Sequence, residues 1–81
     1  MIKVTIKCFS QVKYALGTDE LILEFEMGKT TSKLEQLIRE KAHGKLDGIS
    51  LRVAVNQKYV PNKVELKDGD KVAFIPPVQG G

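Results

Sequence analysis

The sequence predicts an α+β domain in which one main helix lies across one face of a single sheet. Three observations carry this reading. Ile2, Val4, Ile6 and Cys8 alternate with Lys3, Thr5 and Lys7, the period of two of a half-buried strand. Leu34, Leu37, Ile38 and Ala42 recur at helical spacing, which makes one apolar stripe. Strand-like runs stand on both sides of that helix, so a two-layer packing of sheet and helix buries every apolar face.

Taken in order, Ile2 to Cys8 is the first strand. Ser10 to Leu16 reads as a short helical turn, and Gly17-Thr18-Asp19 as a turn. A second strand follows, with Leu21, Leu23 and Phe25 set against Glu20, Glu24 and Glu26. Met27 to Thr31 connects to the helix, expected over about Ser32 to Ala42. Ser32 and Glu35 have the spacing of a capping box, and Thr30 or Thr31 is the alternative cap. Gly44 is placed to end the helix as its C′ residue, and Lys41 and His43 suit the negative end of the helix dipole. Leu51, Val53 and Val55 alternate with Arg52 and Ala54 in a third strand. Asn56-Gln57-Lys58 turns the chain into a short fourth strand at Tyr59-Val60, which Pro61-Asn62 breaks. Asp68-Gly69-Asp70 is a further turn, and Lys71 to Ile75 is the last strand, with Val72 and Phe74 on one face. Pro76-Pro77 stops it. Residues 1–75 are thus expected to form one domain and residues 76–81 a flexible Pro-Pro-Val-Gln-Gly-Gly tail.

The chain has 81 residues, 42% of them hydrophobic and 28% charged, ordinary values for a soluble globular domain. Thirteen basic and ten acidic residues give a net charge of +3 spread along the chain. No dense basic run suggests nucleic acid as a partner. No apolar run approaches the length of a membrane span, and the N-terminus lacks the apolar region of a secretory signal, so a cytoplasmic protein is expected. One Cys excludes an internal disulfide, and one His with no dense carboxylate cluster argues against a resident metal.

Nothing in the sequence resembles an active site. There is no Gly-rich phosphate loop, histidine pair or nucleophile motif. His43 reads as a solvated helix-end residue, and Cys8, on the inward face of the first strand, as a small hydrophobe. The chemistry-bearing feature is the end. Val78-Gln79-Gly80-Gly81 follows two prolines that hold the exit extended. Glycines without Cβ atoms let backbone slide through a narrow channel. The α-carboxylate of Gly81 then becomes a group delivered into another protein's active site, once activated, for example by adenylation. A second feature points to a partner. If Val72 and Phe74 face the helix, Phe9 and Ile75 face away from it, and Tyr59 joins them as an apolar cluster near the root of the tail.

These residues resemble the small subunits of molybdopterin synthase, sulfur carriers of the β-grasp, ubiquitin-like family, along essentially the whole chain. The matching stretches are Met1-Ile2-Lys3-Val4, Gln11-Val12-Lys13 with Gly17-Thr18-Asp19, Ala54-Val55-Asn56-Gln57, Asp68-Gly69-Asp70-Lys71-Val72-Ala73-Phe74 and Pro76-Pro77-Val78-Gln79-Gly80-Gly81. The last is the most specific, because the Pro-Pro pair precedes the terminal glycines. The resemblance implies a β-grasp sheet. It implies that a ubiquitin-activating-type enzyme uses ATP to adenylate Gly81, and that a sulfur donor converts it to a thiocarboxylate. Sulfur then passes to cyclic pyranopterin monophosphate in the large subunit, which supplies the catalytic residues. The carrier itself binds no cofactor and is not the catalyst. Phe9, Tyr59, Ile75, Pro76, Pro77 and Val78 are the expected contacts with that subunit, and Gly80 and Gly81 the reacting end. Tyr59 and Ile75 keep the apolar character of those positions while differing in residue type. Three other functions share the same architecture: sulfur carriage for thiamin, cysteine or tRNA thiolation, attachment to lysines as a protein modifier, and plain binding with an idle tail.

Overall fold

In the computed structural model, which describes residues 1–77, the elements run β1 (Ile2–Cys8), α1 (Ser10–Leu16), β2 (Glu20–Phe25), α2 (Thr31–Lys41), β3 (Arg52–Val55), β4 (Lys58–Val60) and β5 (Lys71–Ile75). The strands form one five-stranded mixed sheet in the order β2-β1-β5-β3-β4. β1 pairs antiparallel with β2 and parallel with β5, while β3 pairs antiparallel with both β4 and β5. Parallel pairing needs a long crossover, and everything between β1 and β5 supplies it.

The alternation read from the sequence sorts the two faces. Ile2, Val4, Ile6 and Cys8 of β1 and Val72 and Phe74 of β5 are buried, and with Leu34, Ile38 and Ala42 they form the core. Burying a side chain such as Leu34 or Ile38 stabilises the fold by ~1.5–3 kcal/mol. Leu37 lies at the margin, half-buried. Leu46 and Leu66 are buried as well. They lie in the connections between regular elements, Leu46 three residues before Ile49 and Leu66 two after Val64, where no sustained helix or strand period marks them.

α1 is a helix of seven residues, more than a turn. Val12 is its buried contact, and Gly17, at φ 73°, ends it by donating its N–H to the Lys13 carbonyl at 2.8 Å. The left-handed conformation there suits glycine.

α2 starts at Thr31, one residue before the expected range, and its cap lies two residues before the Ser32 of the capping-box reading. Thr30 is the N-cap and its hydroxyl accepts the Lys33 N–H. Ser32 lies inside the helix, where its hydroxyl donates to the Asn62 carbonyl. Glu35 accepts from Arg39 Nε at 2.8 Å and from Asn62, so neither member of the expected box turns back to the cap. At the other end Ala42 is the C-cap, and the left-handed turn begins at His43 (φ 52°) before Gly44 (φ 86°). Two positions rather than one therefore leave the helical region. Arg39 then holds the following turns in place through the carbonyls of Leu46 and Ile49, at 2.7 and 2.6 Å. Among the described residues no helix is long and apolar enough to cross a membrane.

Candidate functional site: the outer face of the sheet

The face of the sheet turned away from α2 is built by cross-strand rows. Lys7 stands opposite Ala73, Ala73 opposite Ala54, and Ala54 opposite Tyr59. Directly opposed residues share a face of the sheet, so one row runs lysine, alanine, alanine, tyrosine across four strands. In the next row Ile75 opposes Arg52. Phe9 follows β1 where the strand passes that row. Small residues in the middle and large ones at the ends leave a hollow of about 740 Å³, lined by Lys7, Phe9, Ala54, Tyr59, Ala73 and Ile75 among others.

The three apolar residues expected on this face are therefore brought together. Phe9 is 50% exposed and Tyr59 56%, while Ile75 is half-buried. Large exposed aromatics around a concave apolar floor are the composition of a protein interface rather than of a solvated sheet. On the other half of the same face the pairs Lys3–Glu24 and Lys7–Glu20 oppose each other, and Lys7 Nζ approaches Glu20 at 3.2 Å. Ile22, between those glutamates and across from Thr5, is 64% exposed. It stands alone among charges and extends no apolar patch.

Two of the sequence stretches quoted above act as a clamp on this site. Asn56 and Gln57 are the whole loop between β3 and β4, with φ 52° and 73°, the doubly left-handed geometry that joins twisted strands. Asn56 donates to Asp70 Oδ1 at 3.0 Å and accepts the Lys71 N–H at 3.1 Å. Asp70 also takes the Lys67 N–H at 2.8 Å, and Asp68 takes the Lys3 N–H at 2.8 Å. These bonds fix the β3–β4 hairpin against β5, and so fix Tyr59 relative to Ile75.

The root of the tail follows Ile75. Pro76, expected from the sequence among the contacts with a partner, is buried in the chain by itself, while Pro77 is open to solvent. Val78, Gly80 and Gly81, the remaining tail residues singled out from the sequence, lie outside the described residues.

Two candidates for chemistry on the body of the chain fall away. The Cys8 thiol is buried, and burial, with the nearby Asp19 charge adding to it, pushes its pKa up, so it stays protonated where a nucleophile would need the thiolate. His43 is exposed at the end of α2. Among the described residues no cluster of three or more His, Cys, Asp or Glu is disposed to hold a metal ion. Sequence reasoning missed Arg52, whose guanidinium carbon lies 4.1 Å from the centre of the Tyr59 ring. The signal for it was present: Arg52 is out of phase with Val53 and so shares a face with Ala54.

Comparison with known proteins agrees with this architecture. Residues 6–81 match the ThiS family. The chain belongs to that family. It is 40% identical to the molybdopterin synthase sulfur carrier subunit of Escherichia coli over the full length of both chains. Among solved structures it superposes on the Pyrococcus furiosus protein provisionally described as molybdopterin converting factor subunit 1, with a TM-score of 0.84 and 32% identity, covering 96% of this chain and 100% of that one. It also shares its fold with a chain in the complex of subunits 1 and 2 of molybdopterin-converting factor from Helicobacter pylori, at a TM-score of 0.70 and 23% identity, covering 99% and 100%. The fold is therefore the ubiquitin-like β-grasp.

Proposed function

We propose that this chain is the sulfur carrier subunit of a molybdopterin synthase, working in the cytoplasm. The observation that carries the proposal is the end-to-end match, at 40% identity, with a relative of that name. In this reading an activating enzyme of the ubiquitin-activating type uses ATP to join AMP to the α-carboxylate of Gly81, releasing pyrophosphate. A sulfur donor then displaces AMP and leaves a thiocarboxylate. The large synthase subunit receives the tail and transfers the sulfur to cyclic pyranopterin monophosphate.

The chain's own residues bind and present; they do not catalyse. The hollow between Phe9, Tyr59 and Ile75 docks on the large subunit. The restricted φ of Pro76 and Pro77 stiffens the start of the tail. Gly80 and Gly81 offer no side chain to obstruct a narrow channel. The H. pylori complex, in which a chain of this fold is paired with its second subunit, supports a partner of that kind.

Reconstitution tests the proposal. The thiocarboxylated chain and its cognate large subunit are expected to convert cyclic pyranopterin monophosphate to the dithiolene product, and neither protein alone is expected to do so. A Gly81-deleted chain is expected to be inactive. Full thiocarboxylation without product in the presence of a working large subunit would contradict it.

A further inference from the structure

Arg52 stands on the outer face, exposed, next to Ile75 in the same cross-strand row and diagonal to Tyr59. Its guanidinium is 4.1 Å from the centre of the Tyr59 ring. Among the described residues it makes no ion pair and donates no side-chain hydrogen bond; the carboxylate-paired arginine there is Arg39. Packing on an aromatic face satisfies the flat surface of a guanidinium and restrains its rotamers, while its N–H donors project from the edge. A restrained fork with unused donors, beside an apolar hollow, is set to receive a planar carboxylate in a two-point contact.

We propose that Arg52, held over Tyr59, is a specificity-determining residue that pairs with an aspartate or glutamate of the docking protein and so fixes the orientation of that protein at the root of the tail. This rests on the reading of the outer face as the surface that meets the large subunit. Two observations favour an acidic protein surface over a polyanion such as nucleic acid. The floor beside Arg52 is apolar, Ala54 and Ala73, and asks for a side chain of the same character. The rim of the hollow is of mixed charge, with Asp19 and Glu20 beside Lys7, Lys13 and Lys71 and Lys7 paired to Glu20, and is not the unbroken basic track that a run of phosphates asks for. Tyr and Arg together are the residue types that dominate binding energy when a partner covers them.

The test measures the affinity of the full chain for its large subunit at low and at high salt, for the native chain and for R52Q, R52K and R52E, with thermal melting as a check that each is folded. Loss of the pair in R52Q is expected to weaken binding about tenfold, and R52E to weaken it further. R52K, which keeps the charge but not the stacked fork, is expected to lie between native and R52Q. The difference between native and R52E is expected to shrink at high salt. Replacing the acids of the large subunit by Lys one at a time is expected to give one variant that restores binding to R52E, a rescue that a merely structural role of Arg52 would not produce. Binding of R52Q and R52E within about twofold of native would overturn the assignment of Arg52 while leaving the docking face intact. Failure of the native chain to bind the large subunit would overturn both.

Discussion

Asn56 donates to Asp70, side chain to side chain, at 3.0 Å, and this contact ties the β3–β4 hairpin to the turn that launches β5. Asn56 also tolerates the left-handed backbone that the two-residue loop requires. Asn56→Ala removes two side-chain hydrogen bonds and puts at φ 52° a residue that tolerates the left-handed region less well than asparagine. We expect a loss of about 2 kcal/mol, read as a fall in melting temperature of roughly 10 °C. Gln57→Gly, at φ 73°, relieves backbone strain without breaking the clamp and is expected to leave stability unchanged or raise it by up to ~1 kcal/mol. A Gln57→Gly variant as unstable as Asn56→Ala would contradict this account of the loop.

The hollow exists because Ala73 and Ala54 occupy the middle of a row whose ends are Lys7 and Tyr59. Ala73→Leu fills it from the floor while facing away from the core. The variant is expected to melt within a few degrees of the native chain and to bind the large subunit at least tenfold more weakly, in the manner of an obstructed interface centre. Titration of the complex by calorimetry, with circular dichroism on the free chain, reads both quantities. Unimpaired binding would show that the docking face lies elsewhere.

Arg39 is the lynchpin of the segment between α2 and β3. It meets Glu35 at 2.8 Å and the carbonyls of Leu46 and Ile49 at 2.7 and 2.6 Å. Because Arg39 is still 28% exposed and Glu35 18%, the ion pair itself contributes little. The hydrogen bonds of a charged group to two carbonyls contribute more. Arg39→Met, which keeps the aliphatic packing, is expected to cost ~2 kcal/mol in urea unfolding. Hydrogen exchange is expected to quicken across residues 43–50.

Cys8 links stability to pH. Burial holds its thiol above the ordinary pKa, with Asp19 adding to the shift, so the folded chain retains a proton that the unfolded chain releases. The sign follows: this contribution is fully present below the unfolded thiol pKa of about 8.5 and is lost as pH rises beyond it. Stability is therefore expected to fall more steeply above that pH in the native chain than in Cys8→Ala, after each is referred to its own value at neutral pH. Equal slopes would remove Cys8 as the cause.

Much of this architecture is legible in the sequence, for identifiable reasons. β1 and α2 carry strong periodicities because each has one face in water and one in the core. The outward trio of Phe9, Tyr59 and Ile75 follows from parity along the strands once Val72 and Phe74 are placed inward. The order of the strands does not follow from any period. The parallel β1–β5 pairing is a long-range relation, and it was expected only on the strength of the family resemblance. The cap of α2 was ambiguous because Thr30, Thr31 and Ser32 are all competent, and the choice is made by Asn62, thirty residues away from Ser32, whose carbonyl takes the Ser32 hydroxyl. The seat of Arg52 over Tyr59 depends on a neighbour from another strand, which local pattern does not contain.

The central claim is that the α-carboxylate of Gly81 carries sulfur. The most direct measurement is the intact mass of the chain after incubation with ATP, its activating enzyme and a sulfur donor, beside a Gly81-deleted control. The account predicts a gain equal to the replacement of one oxygen by one sulfur in the full chain and none in the control. No gain, with an activating enzyme shown to work on another carrier, or an equal gain in the deleted chain, would contradict it.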